Sequence, residues 1–188
     1  GDLPLRVYNS ITKDGAERLM AEGMRRSANG RVITRAVKLY VDGALGSRGA
    51  KLMAPYADRP DSTGLFLNSR EDVMPVMEQA LRNGIQINVH AIGDYANHLL
   101  LDWYALAALS VPRAERAVAE PRWRVEHAQI LRPADIPRFG DQGVIASMQP
   151  SHAIGDLHFA PDRLGMDRLQ GAYAWRSLVE AGALVIGG

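Results

Sequence analysis

The sequence predicts an α/β fold, a partial (β/α)8 barrel forming one domain over residues 1–188. Three observations predict it. Strand-like and helix-like segments alternate about every 25 to 35 residues, the rhythm of βα units in a parallel sheet. The clearest strands carry one apolar and one polar face, as side chains alternating at period two require. The polar faces end on ionisable residues at the strand tips, where barrels place their chemistry.

Residues 3–9 read as a short strand. Residues 11–27 have helical character, with Met20 and Met24 four apart and Gly30 beyond the end. Residues 35–43 form a strand rich in β-formers, with Val37, Leu39 and Val41 on one face and Lys38, Tyr40 and Asp42 on the other. Residues 43–69 show weak periodicity, and a loop this long inside a domain is usually functional. Ser69 opens a helix to about residue 82, with Val73, Val76, Met77 and Leu81 on its stripe. Pro75 is expected to kink that helix or delay its start.

Residues 84–94 set Ile85, Ile87 and Val89 on one face and Gln86, Asn88 and His90 on the other. Gly93-Asp94 breaks this strand, and Asp94 is placed to cap the next helix, residues 95–109, whose apolar residues are Leu99, Leu100, Trp103 and Leu106. Residues 113–121 are a polar connection. In the strand at 122–129, Trp123, Val125 and His127 share one face, and Arg124 and Glu126 share the other, where they can pair. A short helix at 133–139 has Pro133 in its first turn. The strand at 143–150 is stopped by its Pro. A loop at 151–170, a helix at 172–181 and a strand from residue 182 complete the chain. A full (β/α)8 barrel takes roughly 200 to 250 residues or more, so the expectation is a barrel lacking its first two βα units and the end of its last strand. Unpaired edge strands would then leave the isolated chain marginal and prone to self-association.

The chain has 188 residues, 47% hydrophobic, with a net charge of +1 and no cysteine. Scattered Lys and Arg argue against a nucleic-acid surface or a basic membrane face. The lack of cysteine excludes disulfides, Cys-ligated zinc and thiol catalysis. No apolar run is long enough to span a bilayer and no signal-peptide pattern is visible, so a cytoplasmic protein without membrane or nucleic-acid partners is expected. Residues 43–48 follow a strand but lack the Gly-Lys-Ser/Thr ending of a P-loop, and no Gly-X-Ser-X-Gly elbow occurs.

Lys38, His90 and His127 lie on three successive strands and are expected to turn into the barrel interior, within a few ångströms of one another. Neutral imidazoles are good ligands for zinc or a similar divalent ion. An ammonium has no lone pair and repels a cation. Reaction with carbon dioxide would turn the Lys38 amine into an anionic carbamate able to bridge two metals. Otherwise Lys38 is a buried lysine paired with an acid such as Asp42, and His90 a hydrogen-bonded structural residue. The spacing leaves both readings open.

Four runs carry a resemblance: residues 37–48 (Val37-Lys38-Leu39-Tyr40-Val41-Asp42-Gly43-Ala44-Leu45-Gly46-Ser47-Arg48), Val89-His90-Ala91-Ile92-Gly93-Asp94, Glu126-His127-Ala128-Gln129, and Met148-Gln149-Pro150-Ser151-His152. Together they resemble the amidohydrolase superfamily, specifically amidohydrolase family 3, the branch with N-substituted formamide deformylase-like enzymes. The resemblance implies a barrel of the metal-dependent hydrolase type, with Lys38, His90 and His127 as ligands to a divalent metal, most simply zinc. It also implies hydrolysis of a carbon–nitrogen bond, amide-type but not peptide, in a small-molecule substrate by metal-activated hydroxide. Members take two more histidines from a His-X-His motif and a proton-shuttling aspartate after the last strand. Neither occurs in this chain; the aspartate is expected beyond Gly188 and the chain by itself is expected to be inactive. Arg48, Asp94, Gln149 and His152 stand around the centre as substrate or supporting residues, while His98 and His158 read as structural or surface residues. A barrel kept for binding or regulation, without catalysis, is the alternative.

Overall fold

The computed structural model describes residues 4–188, so Leu3 of the expected first strand lies outside the described residues. Its strands are β1 (Val7–Thr12), β2 (Arg25–Arg26), β3 (Val32–Tyr40), β4 (Gln86–Ala91), β5 (Arg124–His127), β6 (Ile145–Met148) and β7 (Val185–Gly187). They make a single sheet ordered β1-β3-β4-β5-β6-β7, parallel along this path, with β2 antiparallel on β3. The sheet curls into half a barrel with helices on its convex side: α1 (Ala16–Glu22), α2 (Arg70–Asn83), α3 (Asp94–Ser110), α4 (Ile136–Gln142) and α7 (Trp175–Glu180).

The alternation seen in the sequence sorts the two faces. Val37, Leu39, Val41, Ile85, Ile87, Val89, Trp123 and Val125 are buried in one apolar cluster with Val73, Met77, Leu100, Phe139 and Leu178 of the helices. The opposite, concave face is polar. Tyr8 Oη donates to Gln86 Oε1 at 2.8 Å, and Asn88 Nδ2 donates to Ser10 Oγ at 2.8 Å. Arg124 Nε in turn donates to Asn88 Oδ1 at 2.9 Å. The first two bonds join β1 to β4 across the intervening β3. Neighbouring strands are about 4.8 Å apart, so only a strongly curved sheet lets side chains two strands apart touch. Arg124 and Glu126 pair at 3.3 Å on this face, as their alternation predicts.

Local sequence explains where the elements stop. Ser69 accepts from Asp72 N while the Asp72 side chain accepts from Ser69 N, a capping box that starts α2, and Gly84 ends it in the left-handed region at φ 67°. Pro75 is accommodated inside α2, which begins at Arg70 without delay. The helix expected at 11–27 is shorter: Ile11 belongs to β1, and α1 ends before Gly23 at φ 73°. Arg25 and Arg26 then form β2, which leaves Met24 half exposed instead of stacked on Met20. Leu106, expected on the apolar stripe of α3, is likewise partly exposed, at 40%.

The two long loops are built structures. The 151–170 segment holds α5 (Pro150–Asp156) and α6 (Ala160–Leu164), the first opened by Pro150, whose fixed φ suits a first helical turn. The final helix therefore starts at Trp175, three residues later than expected. Leu45, Ala50, Leu52 and Tyr56 of the 43–69 segment pack with Ile92, Ile130, Ala160 and Leu164 into a second, smaller core over the C-terminal strand ends. Among the described residues no helix is long and apolar enough to cross a membrane.

Asp42 fastens this upper layer to the sheet. Fully buried just beyond β3, it accepts Ile92 N on Oδ1 (3.0 Å) and Gly93 N and Lys51 N on Oδ2 (2.8 Å each). The Lys51 carbonyl then accepts Tyr95 N and Ala96 N, free donors of the first turn of α3. This contact brings the loop so close that a Cβ on Gly93 would lie 2.0 Å from Lys51 O. Replacing Asp42 with Ala would strand three backbone donors, two of them wholly buried. Asp42→Ala is expected to cost about 3 kcal/mol or more, read as a lower urea midpoint; a loss below about 1 kcal/mol would show the clamp to be dispensable.

Candidate metal centre

At the C-terminal ends of the central strands the concave face becomes a row of imidazoles. His90 reaches it by alternation, two residues beyond Asn88 on β4. His127 does not. Register pairs Ala91 with His127 and His90 with Glu126, so a regular β5 would send His127 toward the helices with buried Ala91, Trp123 and Val125. The face that the sequence assigned to His127 together with Trp123 and Val125 is therefore corrected. His127 adopts φ 81° and Ala128 φ 42°, left-handed conformations that cost non-glycine residues of order 1 kcal/mol each. The turn swings the ring onto the concave side, edge-on to His90 with centroids 4.6 Å apart. His152, from α5, stacks on the other side of His127 at 5.4 Å and 17°.

Hydrogen bonds fix these rings. His127 Nδ1 lies 2.6 Å from Gln149 Oε1; a carbonyl oxygen only accepts, so Nδ1 carries the proton and Nε2 keeps its lone pair. His152 Nδ1 faces Gln129 Oε1 at 3.1 Å in the same manner. His90 Nε2 is 3.4 Å from Gly43 O and 3.6 Å from Asp42 Oδ1. Burial lowers the His90 pKa to about 4, helped by the neighbouring His127, Lys38 and His152. Burial also lowers that of His127, against the opposing effect of the hydrogen bond it donates to Gln149. Both rings are neutral at pH 7. Burial raises the Asp42 carboxyl to about 7, its three backbone donors pulling the other way.

Lys38 stands on the same face, with Nζ 5.0 Å over the Tyr40 ring. Its pKa falls to about 8, first through burial, with Glu126 acting to raise it and Arg124 to lower it. Asp42 is spent on backbone donors, so the acid that compensates Lys38 is Glu126, which the sequence showed only as a partner of Arg124. Two neutral imidazoles match the donor chemistry of zinc and similar ions, whereas the Lys38 amine joins them only as a carbamate. Among the described residues no group of three or more His, Asp or Glu side chains is arranged to hold a metal ion.

The remaining candidates divide. Gln149 and His152 are in the row. Arg48 is not: its guanidinium is clamped on Asp58 (Nε–Oδ1 3.1 Å, Nη2–Oδ2 2.8 Å), and Asp58 also pairs with Arg163 of α6. Arg48 thus braces its own loop, and the Asp58–Arg163 pair ties that loop to the 151–170 segment. Asp94 is the first residue of α3 rather than its cap, a position held by Gly93; its Oδ1 accepts Met53 N and Tyr95 N at 2.9 Å. His98 belongs to a separate cluster with Asp135 and Arg138, and His158 is exposed. Gln129 was visible inside the Glu126-His127-Ala128-Gln129 run but had no assigned role.

The chain matches the Amidohydrolase family over residues 1–188. It is 36% identical over 150 residues to Protein LONG AFTER FAR-RED 3 of Arabidopsis thaliana, covering 79% of this chain and 25% of that protein. It is 30% identical over all 188 residues to YtcJ of Bacillus subtilis (strain 168), covering 34% of it. The fold superimposes on an uncharacterized metal-dependent hydrolase from Pyrococcus furiosus with a TM-score of 0.84 and 28% identity, over 98% of this chain and 37% of that one. The chain thus spans a quarter to a third of the length of the curated relatives.

The neutrality of His90 has a pH signature. An unfolded histidine takes up a proton near pH 6.5, and the folded one only near 4. In that window the unfolded chain binds more protons, so the His90 contribution is full above pH 6.5 and is lost as pH falls toward 4. Between pH 7 and 4.5 the native chain should lose more stability in urea titrations than His90→Asn, by about 1 to 3 kcal/mol. Equal losses would show that His90 protonates normally in the fold.

Proposed function

The chain belongs to the amidohydrolase family, and from that premise we propose that it serves a metal-dependent hydrolase of carbon–nitrogen bonds, amide-type but not peptide, in small molecules. The observation that carries the reading is the meeting of His90 and His127 across two neighbouring strand ends, at 4.6 Å, through a left-handed turn at His127. Backbone strain of this kind persists where surrounding structure demands it and concentrates at functional sites. The Pyrococcus furiosus structure of a metal-dependent hydrolase, matched over nearly the whole chain, supports the metal-dependent hydrolase part of this reading.

In this reading His90 and His127 hold a divalent metal, zinc by donor type, with Lys38 contributing once carbamylated. When bound, the metal supplies Lewis acidity toward water and the substrate carbonyl. Orientation and protonation are the work of the chain's own residues. Gln149 accepts the Nδ1 proton of His127 and so directs the Nε2 lone pair outward. Burial keeps both imidazoles unprotonated, so no proton has to leave before they can ligate. For Lys38, Glu126 and the Tyr40 ring hold the ammonium form in place; once it is deprotonated, the neutral amine nitrogen bonds to the carbon of carbon dioxide as one C=O π bond opens, and the nitrogen loses one proton to solvent. The core formed by the 43–69 and 151–170 segments lies over the same strand ends and shapes the substrate entrance.

Zinc binding to the purified chain, followed by calorimetry in the absence of substrate, tests the ligand assignment. His90→Ala and His127→Ala should each weaken binding by about tenfold or more, while Arg48→Ala, whose guanidinium is held on Asp58 away from the row, should leave it unchanged. Equal affinity in the wild type and both histidine variants would overturn the proposal. In the protein that carries these residues, hydrolysis of small N-substituted amides should disappear with His127→Ala, and peptides should not be cleaved.

A further inference from the structure

His152 is held more firmly than a ring stacked on a neighbour needs to be. It sits on α5, four residues before Asp156, so both side chains leave the same face of the helix. Gln129, itself buried, lies between them: Nε2 donates to Asp156 Oδ2 at 2.5 Å and Oε1 faces His152 Nδ1 at 3.1 Å. Tyr173 Oη donates to the same Asp156 oxygen at 2.6 Å. Burial, and then Asp156, push the Tyr173 pKa well up, so its proton stays in place. Tyr173 also holds φ 52°, a strained conformation, with its N–H bonded to Gln129 O at 2.8 Å.

The direction of every proton in this chain of contacts is set by chemistry. The Asp156 carboxylate only accepts. The amide nitrogen of Gln129 must therefore face it, since the reverse orientation would set two acceptors 2.5 Å apart. The amide oxygen is left facing the imidazole, and it too only accepts, so the proton of neutral His152 resides on Nδ1. We propose that Asp156 is a positioning residue that fixes His152, through Gln129, as the Nδ1–H tautomer, so that the ring offers a bare Nε2 acceptor beside His127. What such a nitrogen receives is a hydrogen-bond donor, an N–H or O–H of whatever lies against His127. The inference rests on the reading of His127 as part of the reactive centre, but the tautomer itself does not depend on that reading.

The tautomer is directly observable. Imidazole 15N shifts and couplings in the metal-free, histidine-labelled chain distinguish a protonated from a bare nitrogen at each ring position. His152 is expected to carry its proton on Nδ1 in the wild type and in Tyr173→Phe, which leaves the Gln129–Asp156 bond in place. Asp156→Leu removes the acceptor that orients Gln129, so the amide is free to turn over and the His152 proton should no longer be confined to Nδ1, with the far-UV circular dichroism unchanged. Should that variant not fold, Gln129→Leu puts the same question, because without the amide oxygen the preference for Nδ1–H should disappear. A wild-type His152 protonated on Nε2, or a proton that stays wholly on Nδ1 in the folded Asp156→Leu or Gln129→Leu chain, overturns the proposal. Because no metal or substrate is present, that failure is separate from a failure of zinc binding.

Discussion

The upper half of this molecule depends on one buried carboxylate. The imidazole nearest Asp42, His90 at 3.6 Å, is neutral, and the fold satisfies the carboxylate instead with three backbone N–H groups from two segments. Ile92 and Gly93 form the turn from β4 into α3, and Lys51 lies on the 43–69 segment. Desolvation alone would make such a group costly. The donors offset that cost only if the turn and the loop both arrive at Asp42, so the clamp makes their assembly cooperative. The position of His90, two residues before Ile92, and the small core above the strand ends both depend on it.

Much of the fold was legible because its physics is periodic. Val37, Leu39, Ile85, Ile87 and Val89 had to share a face, and Lys38, Asn88 and His90 the other; the curled sheet obeys both. Arg124 and Glu126 were readable as a pair for the same reason. The site was legible where alternation continues and illegible where it breaks. At His127 the parity of β5 points to the wrong side, and only a left-handed turn restores the ring to its neighbours. No composition rule signals φ 81° at a histidine, so the expectation of an inward ring and the strand pattern that contradicted it had no common ground in the sequence.

The loops hid more. Arg48 resembles a substrate residue in the sequence, yet a carboxylate ten residues on claims it with two hydrogen bonds. Asp94 has the identity of a helix cap and the position of a loop anchor, because Gly93 is pressed against Lys51 and takes the capping place. The helix α5 carried a legible signal in Pro150, which ends a strand and can equally begin a helix. Reading only the first meaning left His152 and Asp156 in an unstructured segment and concealed their shared face.

The polar rungs across the concave face also bear on how a parallel sheet finds its alignment. A slip of one residue is punished at once, since every side chain changes face. A slip of two is not: faces, pleat and backbone hydrogen bonds are all preserved, and Val, Ile and Leu are nearly interchangeable against the helices. Only partners of specific shape register the difference. Tyr8 with Gln86, Ser10 with Asn88, and Asn88 with Arg124 each fit one alignment of their strands and no other. The interior that carries the candidate chemistry at its rim thus works below the rim as a vernier, marking off the one stagger at which the histidines come level.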